Sequence, residues 1–165
     1  MNEIFHRVSI RKYEDKPVEK EKILRILRAG MQAPSAKNQQ PWEFYVVMDR
    51  VKIQALSEIS PYSGCAAGAP VLIVPVYRKE GLSAQSYAQV DMAICQENMW
   101  LETDSLGLGG VWLGVAPEKK RMDKVAGILE LPDHLEAFSV FALGYPAEQR
   151  EQKNRFDESR IHFVE

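Results

Sequence analysis

The chain has 165 residues, 45% of them hydrophobic, enough for one compact domain spanning 1–165 with its own core and some apolar surface left over for association. Its 21 basic and 23 acidic residues leave a net charge of −2, without the basic excess expected of a nucleic-acid-binding protein. No apolar run is long enough to span a bilayer, Met1–Arg7 shows no charged-then-apolar signal, and Cys65 and Cys95 lack the His and Cys company of a zinc site; the expectation is a cytoplasmic protein, neither membrane-bound nor metal-binding.

The first element in chain order is Arg7-Val8-Ser9-Ile10-Arg11. Read as extended chain, it sets Arg7, Ser9 and Arg11 on one side and Val8 and Ile10 on the other. Two guanidinium forks and a hydroxyl suit a phosphate monoester; the same pattern also describes a charged surface strand. A helix is predicted over Glu19–Met31 from the spacing of Ile23, Ile26, Leu27 and Met31, weakened at Gly30 and ended by Pro34. After a polar loop, Ser35–Pro41, the aromatic and β-branched run Glu43–Met48 predicts a buried strand. Asp49 is a good N-cap for a short helix to Ile59. Val71–Tyr77 predicts a second strand, with Pro75 marking an edge position or a bulge.

Ala84–Leu106 predicts the longest helix. Between Val90 and Leu101 its apolar residues cover most of the circumference, so it is expected to be buried within the domain or in an oligomer interface, with Asp91, Gln96, Glu97 and Asn98 needing partners. Gly107–Gly110 ends it, and Val111–Val115 continues as a strand. A helix is expected from Pro117 to about Gly127, and a final strand over Ala137–Leu143. A polar tail from Ala147 carries Lys153, Arg155, Arg160 and His162. Helices and strands mix without regular alternation, which predicts an α+β domain with helices packed on one central sheet.

The chain has no P-loop, no dinucleotide fingerprint after a strand, no nucleophile elbow and no zinc-protease motif. Gly107-Leu108-Gly109-Gly110 follows a helix and precedes a strand, the wrong order for a dinucleotide loop. Four features remain. They are the Arg7–Arg11 run, the loop Pro34-Ser35-Ala36-Lys37-Asn38-Gln39-Gln40-Pro41-Trp42, the glycine-rich Gly107–Gly114, and Lys153-Asn154-Arg155. Each alone also fits an ordinary strand, loop, turn or solvated charge cluster.

Together, and in this order, they resemble the nitroreductase family of flavoproteins, over nearly the whole chain from Arg7 to Arg155. The resemblance implies a nitroreductase-like α+β fold with a central mixed, mainly antiparallel sheet flanked by helices, and an intertwined homodimer with FMN shared at the interface. It implies that Arg7, Ser9 and Arg11 hold the FMN phosphate, completed by Lys153 and Arg155. Pro34, Ser35 and Ala36 would come from the partner to pack by the isoalloxazine ring, with Asn38 and Gln40 fixing that loop and adding polar contacts. Backbone near Leu113 and Gly114 would face the flavin N5 edge. Val8 stands where relatives often carry a basic residue, so a cofactor contact is expected to be missing there.

A flavin supplies the chemistry itself, so the lack of a protein acid–base dyad or triad agrees with this resemblance. The implied activity is hydride transfer from NADH or NADPH through FMN to small electron-poor acceptors (nitroaromatics, quinones or activated alkenes) by a ping-pong route. Reductive dehalogenation, flavin fragmentation, a flavin carrier or sensor, and a non-flavin phosphate module are the alternatives. No long insertion that could form a substrate lid is present, which suggests an accessible site.

Overall fold

The fold is that of a computed structural model, which describes residues 3–165. Five helices, α1 (Glu3–His6), α2 (Lys20–Met31), α3 (Arg50–Ser57), α4 (Ala88–Ser105) and α5 (Lys119–Leu129), surround one sheet of five strands. The strands are β1 (Trp42–Val47), β2 (Val71–Arg78), β3 (Gly109–Gly114), β4 (Leu135–Ala137) and β5 (Ser139–Gly144). The sheet runs β1-β2-β5-β3, with β4 also paired to β2. Each of these ladders is antiparallel, and the isolated bridge between Ser9 and Gly110 supplies a parallel pairing.

Alternation along the central strands explains why both faces of the sheet are covered. Val71 and Ile73 of β2, with Phe141 and Leu143 of β5, pack with Ile23 and Ile26 of α2 and Met99 and Trp100 of α4. Leu72, Val74, Val76, Val140 and Ala142 point the other way, into a cluster with Ile53 and Leu56 of α3 and Met122 and Val125 of α5. Gly30 lets α2 lie close to α4: a Cβ there would come within 2.7 Å of the Met99 side chain.

The expected elements form with small shifts, and Asp49 caps α3 by accepting a hydrogen bond from the Lys52 amide at 2.8 Å. Two differences are informative. The expected strand Ala137–Leu143 is two strands, because β2 pairs Ile73 with Phe141 but Val76 with Ala137. Continuing the first register would set Val76 against Phe138, so the β4–β5 side carries one extra residue, a bulge opposite Pro75. Pro75, with no N–H to donate, thus lies in a central strand at a bulge, where its carbonyl accepts from the Phe138 amide at 3.0 Å. The long helix starts later than expected, at Ala88, after a short turn of 3₁₀ helix at Gln85–Tyr87.

Asp91, Gln96, Glu97 and Asn98 of helix α4 find partners, except that Gln96 Nε2 is buried with none among the described residues. Asp91 accepts from the 34–42 loop, Gln96 accepts from the Ser139 hydroxyl, Glu97 meets Arg7, and Asn98 donates to the Ala29 carbonyl. One apolar stripe stays outside: Val90 and Ile94, a turn apart, are 54% and 36% exposed. That leaves an apolar stripe of α4 on a surface this chain alone does not cover.

Candidate functional site

The Arg7–Arg11 run is extended chain laid beside β3. The Ile10 amide donates to the Gly110 carbonyl at 3.0 Å, and Ser9 bridges to Gly110. Gly109 admits this approach, since its missing Cβ would sit 2.6 Å from Ile10 Cγ1. Ile10 is buried, while Arg11 is exposed. The Glu148 carboxylate accepts from the backbone amides of Arg11 and Lys12 at 2.6 and 3.2 Å, which ties the start of the tail to the run. The Arg11 amide, followed by Arg150 and the Lys12 amide, holds the Glu148 carboxyl below its ordinary value.

Arg7 and Arg11 enter different surroundings. The Arg7 guanidinium lies 3.9 Å from the centre of the Trp100 ring, and its Nε is 3.3 Å from Glu97 Oε1. Helix α4 therefore already matches part of the Arg7 charge. Gln152 Nε2 donates to the Arg7 carbonyl at 2.7 Å, and Arg155 Nη1 donates to Gln152 Oε1 at 3.0 Å. Gln152 thus brings the tail that carries Lys153 and Arg155 up to the Arg7 end of the run.

Arg11 instead lines an open cavity of about 230 Å³, together with Ser60, Tyr62, Val111, Trp112, Leu113, Gly114 and Arg121. Three of the residues expected from sequence, Arg11, Leu113 and Gly114, meet here. Ser60, Tyr62 and Arg121 are additions that no motif flags, because they reach the cavity from the α3–β2 connection and from α5. No carboxylate lines this cavity. Arg121 is half-buried and donates from Nη1 to the Gly114 carbonyl at 3.3 Å. A larger cavity, about 480 Å³, lies against Val8 and Ile10; Asp104, Glu148 and Glu151 line it together with His6, paired to Asp104, and Arg150, paired to Glu148. There His6 Nδ1 hydrogen-bonds Asp104 at 2.8 Å; this bond and the Asp104 charge raise the His6 pKa above 6.5.

The loop Pro34–Trp42 is held from α4. The buried carboxylate of Asp91 accepts from the Ala36 amide at 2.9 Å and from Gln39 Nε2 at 2.7 Å. Gln39 Oε1 accepts from the Ala84 amide, and the Gln40 amide donates to Ser35 Oγ at 3.0 Å. Lys37, Asn38 and Gln40 all adopt positive φ, near 50°, so this is a tightly specified turn. Asp91 and the Gln39 side chain hold the loop, and Gln40 adds its backbone, its amide bonding Ser35 and its carbonyl accepting from Arg78 at 3.1 Å. Asn38, Gln40 and Pro34 are exposed, and Ser35 and Ala36 half-exposed, outside the cavity around Arg11.

The profile of the nitroreductase family matches residues 4–63 and 60–145. The chain belongs to the nitroreductase family. Among nitroreductase-family relatives, a provisionally named NADH dehydrogenase/NAD(P)H nitroreductase of Archaeoglobus fulgidus is 40% identical over 164 residues, covering 96% of this chain and 94% of its own length. A provisionally named NADH oxidase from Clostridium acetobutylicum superposes with a TM-score of 0.95 at 43% identity, over 99% of both chains. A structure from Desulfovibrio desulfuricans, provisionally a nitroreductase, in complex with FMN superposes with a TM-score of 0.84 at 30% identity, covering 99% of this chain and 95% of that one. The nitroreductase-like fold expected from the motifs is therefore the fold found.

Proposed function

We infer that this nitroreductase-family protein is an FMN-dependent NAD(P)H oxidoreductase, and propose that it works as a homodimer that reduces nitroaromatics, quinones or similar electron-poor acceptors by a ping-pong route. The observation that carries the reading is the cavity at the end of β3. Arg11, the half-buried Trp112, Leu113 and Gly114 line it, with no carboxylate among the lining residues. That donor set fits FMN: cations suit an electron-rich edge and a phosphate, while the apolar side of the strand suits a flat ring. FMN, when bound, accepts a hydride at N5 and passes it on, which is chemistry no side chain here provides.

The chain's own residues supply placement. Ser9, Arg11, Lys153 and Arg155 are exposed or half-exposed, and the Arg7 end is where the tail is fastened. They form the proposed phosphate clamp, with Arg7 sharing its charge between that clamp and Glu97. The cavity of about 230 Å³ is smaller than the roughly 300 Å³ at which ligand pockets usually begin. A second wall is needed, and the loop Pro34–Ala36 of a second copy is proposed to supply it. The exposed stripe Val90 and Ile94 on α4, and the exposed Phe156, Phe163 and Val164 of the tail, support an apolar contact between copies.

The test is the visible spectrum of the purified protein followed by addition of NADH or NADPH. A bound yellow chromophore that bleaches with either reductant supports the reading. A protein that stays colourless after incubation with FMN overturns it. Initial rates against both substrates separate the routes: parallel double-reciprocal lines fit ping-pong, and intersecting lines refute it. Sedimentation at micromolar concentration reads the dimer directly.

A further inference from the structure

The cavity holds one more cation than the clamp requires. Arg11 from the amino-terminal run and Arg121 from α5 both line it, so two separate elements each contribute an arginine. Among the described residues, neither Arg11 nor Arg121 forms an ion pair with a carboxylate. The neighbouring Lys119 shows the contrast, since Asp123 and Glu136 both pair with it. Lys120, between them, is exposed and also has no carboxylate partner among the described residues. The first turn of α5 thus reads Lys119-Lys120-Arg121 after the N-cap Glu118, three cations to one carboxylate where a helix N-terminus disfavours cations. Two unmatched guanidiniums in one cavity also repel each other. An anion entering the cavity relieves both penalties.

We propose that Arg121, with Lys120 beside it, is a specificity-determining handle for anionic acceptors: electron-poor aromatic compounds that carry a carboxylate or sulfonate. This rests on the oxidoreductase reading above, in which the cofactor phosphate is served by the amino-terminal run and the Lys153–Arg155 tail. Arg121 spends Nη1 on the Gly114 carbonyl and has its remaining donors left to face the acceptor. For a nitroaromatic, one hydride from NAD(P)H and one proton from solvent convert the nitro group to nitroso with loss of water, and NAD(P)H leaves as NAD(P)⁺. The carboxylate takes no part in that exchange; it orients the ring by a charge-assisted hydrogen bond to Arg121.

The experiment compares 4-nitrobenzoate with 4-nitrobenzamide on the FMN-loaded protein. The two match in shape, and the amide is the more electron-withdrawing substituent, so any preference for the carboxylate runs against intrinsic reactivity. The expected kcat/KM ratio favours 4-nitrobenzoate by about tenfold at low salt, and shrinks as NaCl is raised. Arg121→Gln should bring the ratio close to one, and Lys120→Gln should lower it less. Calorimetric titration of 4-nitrobenzoate without reductant should show Kd rising by the same factor in Arg121→Gln. A wild-type ratio at or below one, or a ratio unchanged in Arg121→Gln, overturns the proposal. So does loss of FMN from Arg121→Gln, which would assign this residue to the cofactor. If NADH and NADPH both fail to bleach the wild-type flavin, the underlying reading falls as well; bleaching and turnover of the amide without any preference removes the handle alone.

Discussion

Replacing Gly109 by alanine tests the contact on which the whole amino-terminal run depends. The added Cβ would lie 2.6 Å from Ile10 Cγ1 and 2.7 Å from Ile10 Cβ. A Cβ cannot rotate away, so the backbone of the run has to move off β3. That movement strains the hydrogen bond from the Ile10 amide to the Gly110 carbonyl, 3.0 Å long, and the bridge at Ser9. Overpacking of this kind costs about 1–3 kcal/mol. For a domain of this length that lowers Tm by roughly 2–12 °C, provided protein and FMN concentrations are held fixed. Arg11 follows Ile10 directly, so FMN retention should weaken alongside stability, read by the return of free-flavin fluorescence. Gly64→Ala is the control: Gly64 is exposed, its Cβ would meet nothing within 4 Å, and the change should cost no more than about 0.5 kcal/mol. Equal Tm values for Gly109→Ala and Gly64→Ala, with wild-type FMN retention in both, would refute the argument that Gly109 is glycine to admit Ile10.

Four other outcomes follow from particular contacts. Arg11→Ala should weaken FMN affinity by roughly one to two decades, the worth of a charge-assisted hydrogen bond at about 1.5–3 kcal/mol, without changing the urea midpoint of the FMN-free protein; unchanged affinity by fluorescence titration removes Arg11 from the clamp. Asp91→Ala leaves the Ala36 amide and Gln39 Nε2 without their acceptor and should destabilise by about 3 kcal/mol or more, with faster proteolysis within residues 34–42; urea unfolding and limited digestion check both. The Glu148 carboxyl has a folded pKa below its ordinary 4.5, so its contribution to stability is full above that value and is lost as pH falls through the folded pKa; the Tm gap between wild type and Glu148→Gln should be open at pH 7 and narrow as the pH is taken below 4.5. His6 has the opposite sign: its folded pKa is above 6.5, so the His6–Asp104 tie is full below 6.5 and is lost as pH rises through the folded value. An NMR titration should place the His6 midpoint above 6.5 and show it fall in Asp104→Asn.

Much of the architecture was legible from local rules. Helix α2 follows from the spacing of Ile23, Ile26 and Leu27, and α3 from the Asp49 cap, because both rest on interactions within a few residues. Strand β2 was visible as an apolar run; of the edge position or bulge that Pro75 suggested, the structure has a bulge, carried by the strand opposite it. The bulge also split one expected strand into β4 and β5, a break that depends on register against β2 and leaves no local mark.

At the site the division is similar. The sequence alone singled out Arg7, Ser9, Arg11, the Pro34–Trp42 loop and the glycines, since motif residues at set separations can be read without coordinates, and these pointed to the nitroreductase family. Only the tertiary structure decided which charges are committed. Arg7 is matched by Glu97 and Trp100, the loop is fixed by Asp91 through Gln39, and Arg11 meets Arg121 in a cavity without carboxylates. Such pairings join residues dozens of positions apart. Electrostatic energy depends on distance in space, and local spacing along a chain holds no record of it.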